Sequence, residues 1–150
     1  MTHGFDTSLL VAHEVPGHAD YAGVRARLHT LRTAGDRFAI ASQVVTEFVH
    51  IVTDARRFST PLTMEKALAR ALAWWVSPET DQIEPDDDAV KWFLGAMVRH
   101  QLGRKRVLDT MLAATYRSAG VTSLLTLNTA DFAVLGEFTC IGPAAAPIAE

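Results

Sequence analysis

The stretch Phe38-Ala39-Ile40-Ala41-Ser42-Gln43-Val44-Val45-Thr46-Glu47-Phe48-Val49 changes its hydrophobic period once, between Ala41 and Val44. Its first four residues form a short continuous apolar run between Arg37 and Ser42, the pattern of a strand covered on both faces. From Val44 the apolar residues Val44, Val45, Phe48, Val49, Ile51 and Val52 fall on one stripe of a helix. Glu47 sits at the edge of that stripe, about 40° from Ile51 at about 100° per residue. A buried strand that runs straight into an amphipathic helix is half of a parallel βαβ unit.

The same alternation continues in both directions. Short apolar segments at Thr2 to Phe5, Gln82 to Glu84, Ser123 to Leu127 and Glu137 to Ile141 read as further strands. Helical patterns fall at about residues 8–14, 19–33, 43–54, 63–76, 87–102, 107–119 and 129–135, with Gly and Pro between them. Strands joined by helices predict right-handed crossovers and helices on both faces of the sheet. The expected fold is therefore α/β, a three-layer α/β/α sandwich around a mostly parallel sheet of about five strands. Residues 1–141 are expected to form one domain, and the Pro/Ala-rich residues 142–150 a loose tail.

Composition narrows the function classes. With 150 residues, 49% of them hydrophobic and 21% charged, the chain can bury a sizeable core and is not a disordered tail. A single cysteine, Cys140, excludes an intramolecular disulfide framework and a thiolate cluster, which suits a reducing, cytoplasmic setting. No basic n-region precedes an apolar core near Met1, and no run approaches the roughly 20 apolar residues of a membrane span. A formal charge of −3 argues against coating nucleic acid with the whole surface, so any such contact is local. Arg104, Lys105 and Arg106, with Arg56 and Arg57, are the local basic candidates for RNA phosphates.

Four acids stand beside apolar segments far apart in sequence: Asp6, Glu47, Asp109 and Asp131. A lone carboxylate in such a place costs free energy unless something compensates it, and a shared divalent cation would compensate all four. In open parallel sheets, ligands bind beyond the carboxyl ends of the strands, where Asp6 and Asp131 fall after the first and fourth apparent strands. Each acid also has a local explanation. Asp6 can cap the helix at Thr7 or Ser8, and Asp109 can favour its helix dipole. Asp131 can complete a capping pair with Asn128, and Glu47 can be an ordinary edge residue. Four independent explanations would leave the recurrent placement without a common cause.

Other motifs fail. His13-Glu14-Val15-Pro16-Gly17-His18 spaces its histidines by five rather than four, and Pro16-Gly17 breaks the helix that zinc ligation would need. No nucleophile elbow, phosphate-binding loop or dinucleotide fingerprint is present. Trp74, Trp75 and Trp92 lie in helical apolar patterns and read as core, and Asp86-Asp87-Asp88 reads as a helix start.

The chain resembles the PIN domain, and within it the VapC-type ribonuclease toxins of type II toxin-antitoxin modules. The resemblance rests on four short motifs in order, Phe5-Asp6-Thr7-Ser8-Leu9-Leu10, Ser42-Gln43-Val44-Val45-Thr46-Glu47-Phe48, Leu108-Asp109-Thr110-Met111-Leu112-Ala113-Ala114 and Leu125-Thr126-Leu127-Asn128-Thr129-Ala130-Asp131-Phe132. It implies a pocket of Asp6, Glu47, Asp109 and Asp131 that binds Mg²⁺ or Mn²⁺ and cleaves RNA. Asp6, Asp109 and Asp131 would be metal ligands, Glu47 the water-handling residue, and Thr7, Ser8, Thr126 and Asn128 supports. It further implies a VapB-like antitoxin partner and a homodimer through helical faces. A non-toxin PIN nuclease and a catalytically silent partner-binding module are the alternatives. Apolar residues near 9–12 and 44–52 could serve a partner or the core.

Overall fold

The computed structural model describes residues 1–145, and the last five residues of the expected tail, 146–150, lie outside the described residues. In chain order the elements are β1 (Thr2–Phe5), α1 (Thr7–Glu14), α2 (Tyr21–Thr33), β2 (Arg37–Ala41), α3 (Ser42–Val52), α4 (Met64–Trp75), β3 (Thr80–Ile83) and α5 (Asp87–Arg99). A 3-10 turn at Arg104–Arg106 leads into α6 (Val107–Ser118), then β4 (Ser123–Leu125), α7 (Thr129–Ala133) and β5 (Thr139–Ile141). The five strands form one sheet in the order β3-β2-β1-β4-β5, and every pairing is parallel.

That order fixes where the helices lie. The connections from β1 to β2 and on to β3 step one way across the sheet, and those to β4 and β5 step the other way. With right-handed crossovers, α1–α4 cover one face and α5–α7 the other. The reversal falls between β1 and β4, which makes the carboxyl ends of these two strands the crevice of the fold. Among the described residues no helix is long and apolar enough to cross a membrane.

The strand limits depart from the sequence pattern in two informative places. β3 begins at Thr80, two residues before the apolar signal, because it is an edge strand whose residues are all at least partly exposed. β4 stops at Leu125 instead of Leu127: the Thr126 N–H still donates to Ile141 O of β5 at 3.1 Å, but the Thr126 hydroxyl and the Leu127 N–H turn to the neighbouring α1 start. Leu9, Leu10, Val11 and Ala12 are core residues, so the apolar face of α1 is not a partner surface. At the end of the described chain, Ala144 N–H donates to Gly23 O at 2.9 Å and Arg27 Nε to Gly142 O at 3.1 Å, both on α2.

Tyr116 joins the two faces' business at the sheet centre. Its hydroxyl donates to Phe5 O at 2.6 Å and accepts from Ala41 N–H at 3.2 Å, bridging β1 and β2 at the site end of the sheet. Its ring lies against Gly4, where a Cβ would stand 2.9 Å from Cδ2. Gly4 thus weakens the strand signal for a packing reason, the close approach of α6 to β1. On the other face Phe5 packs against Phe38 and Trp74, with ring centroids 5.2 and 5.1 Å apart. Tyr116→Phe keeps the volume but leaves buried backbone groups of Phe5 and Ala41 without this partner. We expect a loss of about 1–3 kcal/mol, read as a lower urea midpoint at unchanged m-value.

Candidate active site

Asp6 is the first residue beyond β1, and its N–H donates to Leu125 O at 2.9 Å, carrying the β1–β4 pairing one step past the strand. It occupies the N-cap position of α1, yet its carboxylate caps no amide of that helix. Instead Oδ2 accepts from Ser8 Oγ at 2.7 Å and from Thr126 Oγ1 at 2.6 Å. Those hydroxyls are themselves tethered: Leu127 N–H donates to Ser8 Oγ, and Asn128 N–H to Thr126 Oγ1. The residues that leave β4 early therefore hold Asp6 in place. Burial pushes the Asp6 carboxyl above its ordinary value, the hydroxyl donors pull it back, and Glu47 adds repulsion.

Glu47 arrives from α3, held at both oxygens. Thr7 Oγ1 donates to Oε2 at 3.0 Å, and Gln43 Nε2, one turn earlier on the same helix face, donates to Oε1 at 2.7 Å. The same Gln43 nitrogen also reaches Leu108 O at 2.9 Å, tying α3 to the start of α6 next to Asp109. Asp109, in the first turn of α6, has its carboxyl pushed up to about 6 by burial first and then by Asp6, Glu47 and Asp131, against a smaller opposing pull from Arg106.

Asp131 differs from the other three. Arg106 Nη1 donates to its Oδ1 at 2.8 Å and Nη2 to its backbone O at 2.6 Å, so this acid already has a cation. The Asn128 side chain makes no cap hydrogen bond to α7, and the capping pair with Asp131 does not form. Arg106 is in turn committed to Asp131.

Asp6, Glu47 and Asp109 line one open cavity of about 500 Å³, with Thr7, Ser8 and Asn128 beside them. Asp131, Arg104, Lys105 and Arg106 are not in its wall. The lining also includes three residues that the motifs did not join to the acids: His18, Arg57 and Phe58. The two histidines of the rejected zinc motif point to different places. His13 is buried, with Nδ1 at 3.0 Å from Glu14 Oε1 and its ring edge-on to Trp74, while His18 reaches the cavity. Gln43 was the one missed support with a sequence signal, since residues four apart share a helix face.

Among the described residues, Asp6, Glu47 and Asp109 form no ion pair with any Lys, Arg or His. An all-oxygen donor set with uncompensated negative charge has the chemistry that suits a hard divalent cation. The side chains line the cavity without closing on a point: among the described residues no three His, Cys, Asp or Glu stand close enough to enclose an ion.

No family model matches the chain. No curated protein matches it either. Solved structures do. VapC20 of Mycobacterium tuberculosis, a sarcin-ricin loop cleaving toxin, superposes with a TM-score of 0.69 at 18% identity, over 93% of this chain and 97% of its own. The fold is that of the VapC toxins. VapBC2 of Rickettsia felis, solved bound to promoter DNA, matches with a TM-score of 0.67 at 16% identity over 95% of this chain and 99% of that one. FitAcB of Neisseria gonorrhoeae matches at 0.62 and 15% identity over 94% and 96%. The VapC fold thus spans nearly the whole chain, and the five parallel strands and the crevice between β1 and β4 belong to it.

Proposed function

We propose that the chain is a metal-dependent endoribonuclease that hydrolyses RNA phosphodiester bonds, and the toxin of a VapBC-type pair. The observation that carries this is the meeting of Asp6, Glu47 and Asp109, from three separate places in the fold, in one cavity where, among the described residues, none has an ion-pair partner. Mg²⁺ or Mn²⁺ bound there would supply an acidified water and neutralise charge on the leaving oxygen. Asp6 and Asp109 would hold the ion. Asp131 is assigned as a ligand through water, since its direct partner is Arg106. Glu47, fixed by Thr7 and Gln43, would orient and deprotonate the attacking water. Ser8 and Thr126 hold the Asp6 carboxylate in place and oppose the rise that burial imposes on it.

An antitoxin partner has its support in the VapBC2 and FitAcB structures, whose fold this chain shares. A homodimer is proposed on the exposed apolar row Val90, Leu94 and Val98 of α5.

The second reading is a partner-binding module without chemistry, favoured by the fact that no three acids close on a point. One assay separates them. The purified protein with Mg²⁺ or Mn²⁺ is expected to produce new RNA ends, to stop in excess chelator, and to resume when the dication is restored. RNA left intact under all dication conditions would leave only the binding module.

A further inference from the structure

We propose that the loop residues sharing the carboxylate cavity form a nucleotide subsite for single-stranded RNA, with Arg57 and His18 taking a phosphate and Phe58 stacking on a base. This deepens the nuclease reading and rests on it for the choice of RNA as ligand. The cavity lining combines Asp6, just beyond β1, Glu47 of α3 and Asp109 of α6 with residues of two loops, 15–20 and 53–63.

A polyanion entering an acidic cavity needs positive charge in the same wall. The basic run before α6 does not provide it. Arg106 is tied to Asp131 by two hydrogen bonds, and Arg104 and Lys105 lie outside the cavity. Among the described residues, Arg57 is the one arginine or lysine in the lining. Its Nε stands 3.7 Å from Asp54 Oδ2, a loose pair, and 59% of its side chain is exposed. Asp54 is itself engaged by the Arg56 N–H at 2.9 Å, which fixes the turn that presents Arg57. The guanidinium has its terminal nitrogens to offer to a phosphate.

His18 is presented in a defined way. Its Nδ1 accepts the Asp20 N–H at 3.0 Å, so the neutral ring carries its proton on Nε2 and offers a donor. Phe58 is half-buried, packs against the hydrophobic core and lines the same cavity as its neighbour Arg57. A cation beside an aromatic face is the combination that holds single strands through backbone and base together. The volume of about 500 Å³ lies within the range of ligand clefts, roughly 300–1,000 Å³.

The test is binding of a fluorescent single-stranded RNA 12-mer in Mg²⁺, with Asp6→Asn throughout to prevent turnover, titrated across salt. Arg57→Ala is expected to lower the slope of log affinity against log salt by about 0.7, the share of one phosphate on a single strand. Phe58→Leu, which preserves core packing, is expected to weaken binding about 5- to 150-fold with the slope unchanged. His18→Gln should weaken binding, and Arg104→Ala with Lys105→Ala should leave affinity near the parent's. Unchanged affinity and slope in Arg57→Ala, a slope change in the Arg104/Lys105 variant instead, or no RNA binding by the parent would each overturn the subsite. If the chain with Asp6 intact cleaves RNA while Arg57→Ala binds normally, only the subsite fails. If that chain cleaves nothing but Arg57→Ala loses slope, only the nuclease reading fails.

Discussion

Asp109→Asn is expected to give a folded protein that melts about 2–4 °C higher than the parent in chelator and cleaves RNA more than 100-fold more slowly in Mg²⁺. Both effects come from one carboxylate. In the folded chain Asp109 is raised from 3.8 to about 6, by burial and by three acidic neighbours. Its folded value exceeds its unfolded one, so the folded chain holds this proton more tightly. The associated stability is fully present below about pH 4 and is lost as pH rises through about 6. At neutral pH the ionised group is a cost, and an amide removes it. Solvent at the half-buried carboxylate keeps that gain on the order of 1 kcal/mol, which corresponds to about 2–4 °C in a chain of this size.

The activity loss follows from the same charge. Loss of a mere supporting contact around a metal typically costs about 10–100-fold, and a ligand costs more. For the parent, activity should fall as pH drops through about 6, where Asp109 takes up its proton. Because Asp109 loses that proton more readily beside a dication, the midpoint should move to lower pH as Mg²⁺ is raised. Differential scanning calorimetry in chelator and a pH–rate profile at two Mg²⁺ concentrations check the two halves separately. A variant less stable than its parent in chelator would mean that Asp109 is not a repelled charge, and cleavage at the parental rate would remove it from the site.

Much of this arrangement is legible along the chain, and the exceptions have physical causes. The switch from the apolar run Phe38–Ala41 to the stripe beginning at Val44 reports β2 and α3 because each period follows from burial on a different geometry. Asp6 and Asp131 read as companions because parallel sheets put ligands beyond strand ends, but Asp131 stands outside the cavity wall, and the companions of Asp6 there are Glu47 and Asp109 from helices α3 and α6. Thr126 was read as strand because its β-branched shape fits one, while its hydroxyl is spent on Asp6 across 120 residues of sequence. The Arg106 clamp on Asp131 has no periodic signature, being made by a turn and a helix that only the fold brings together. Arg57 and His18 sit in loops, where pattern says least and the approach to a cavity is set by chain path.

Glu47→Gln is the complementary experiment, aimed at proton transfer rather than charge. The glutamine is nearly isosteric and can accept from Gln43 Nε2 at one atom while donating to Thr7 Oγ1 at the other, so both anchors of Glu47 survive. The fold and the Asp6–Asp109 pair remain, and what is lost is a base. General-base catalysis contributes about 10²–10⁴-fold, so kcat should fall by that factor with KM for RNA little changed. The position of the base is tested through Gln43, whose single nitrogen serves both Glu47 and Leu108 O. Gln43→Ala keeps the base but leaves it held by Thr7 alone, and should lower kcat by less than Glu47→Gln does. In the double variant the two losses should not add, because a positioning residue has nothing to position once the base is gone. Full additivity would separate Gln43 from Glu47. A parental kcat in Glu47→Gln would move the water-handling role to another carboxylate of the cavity.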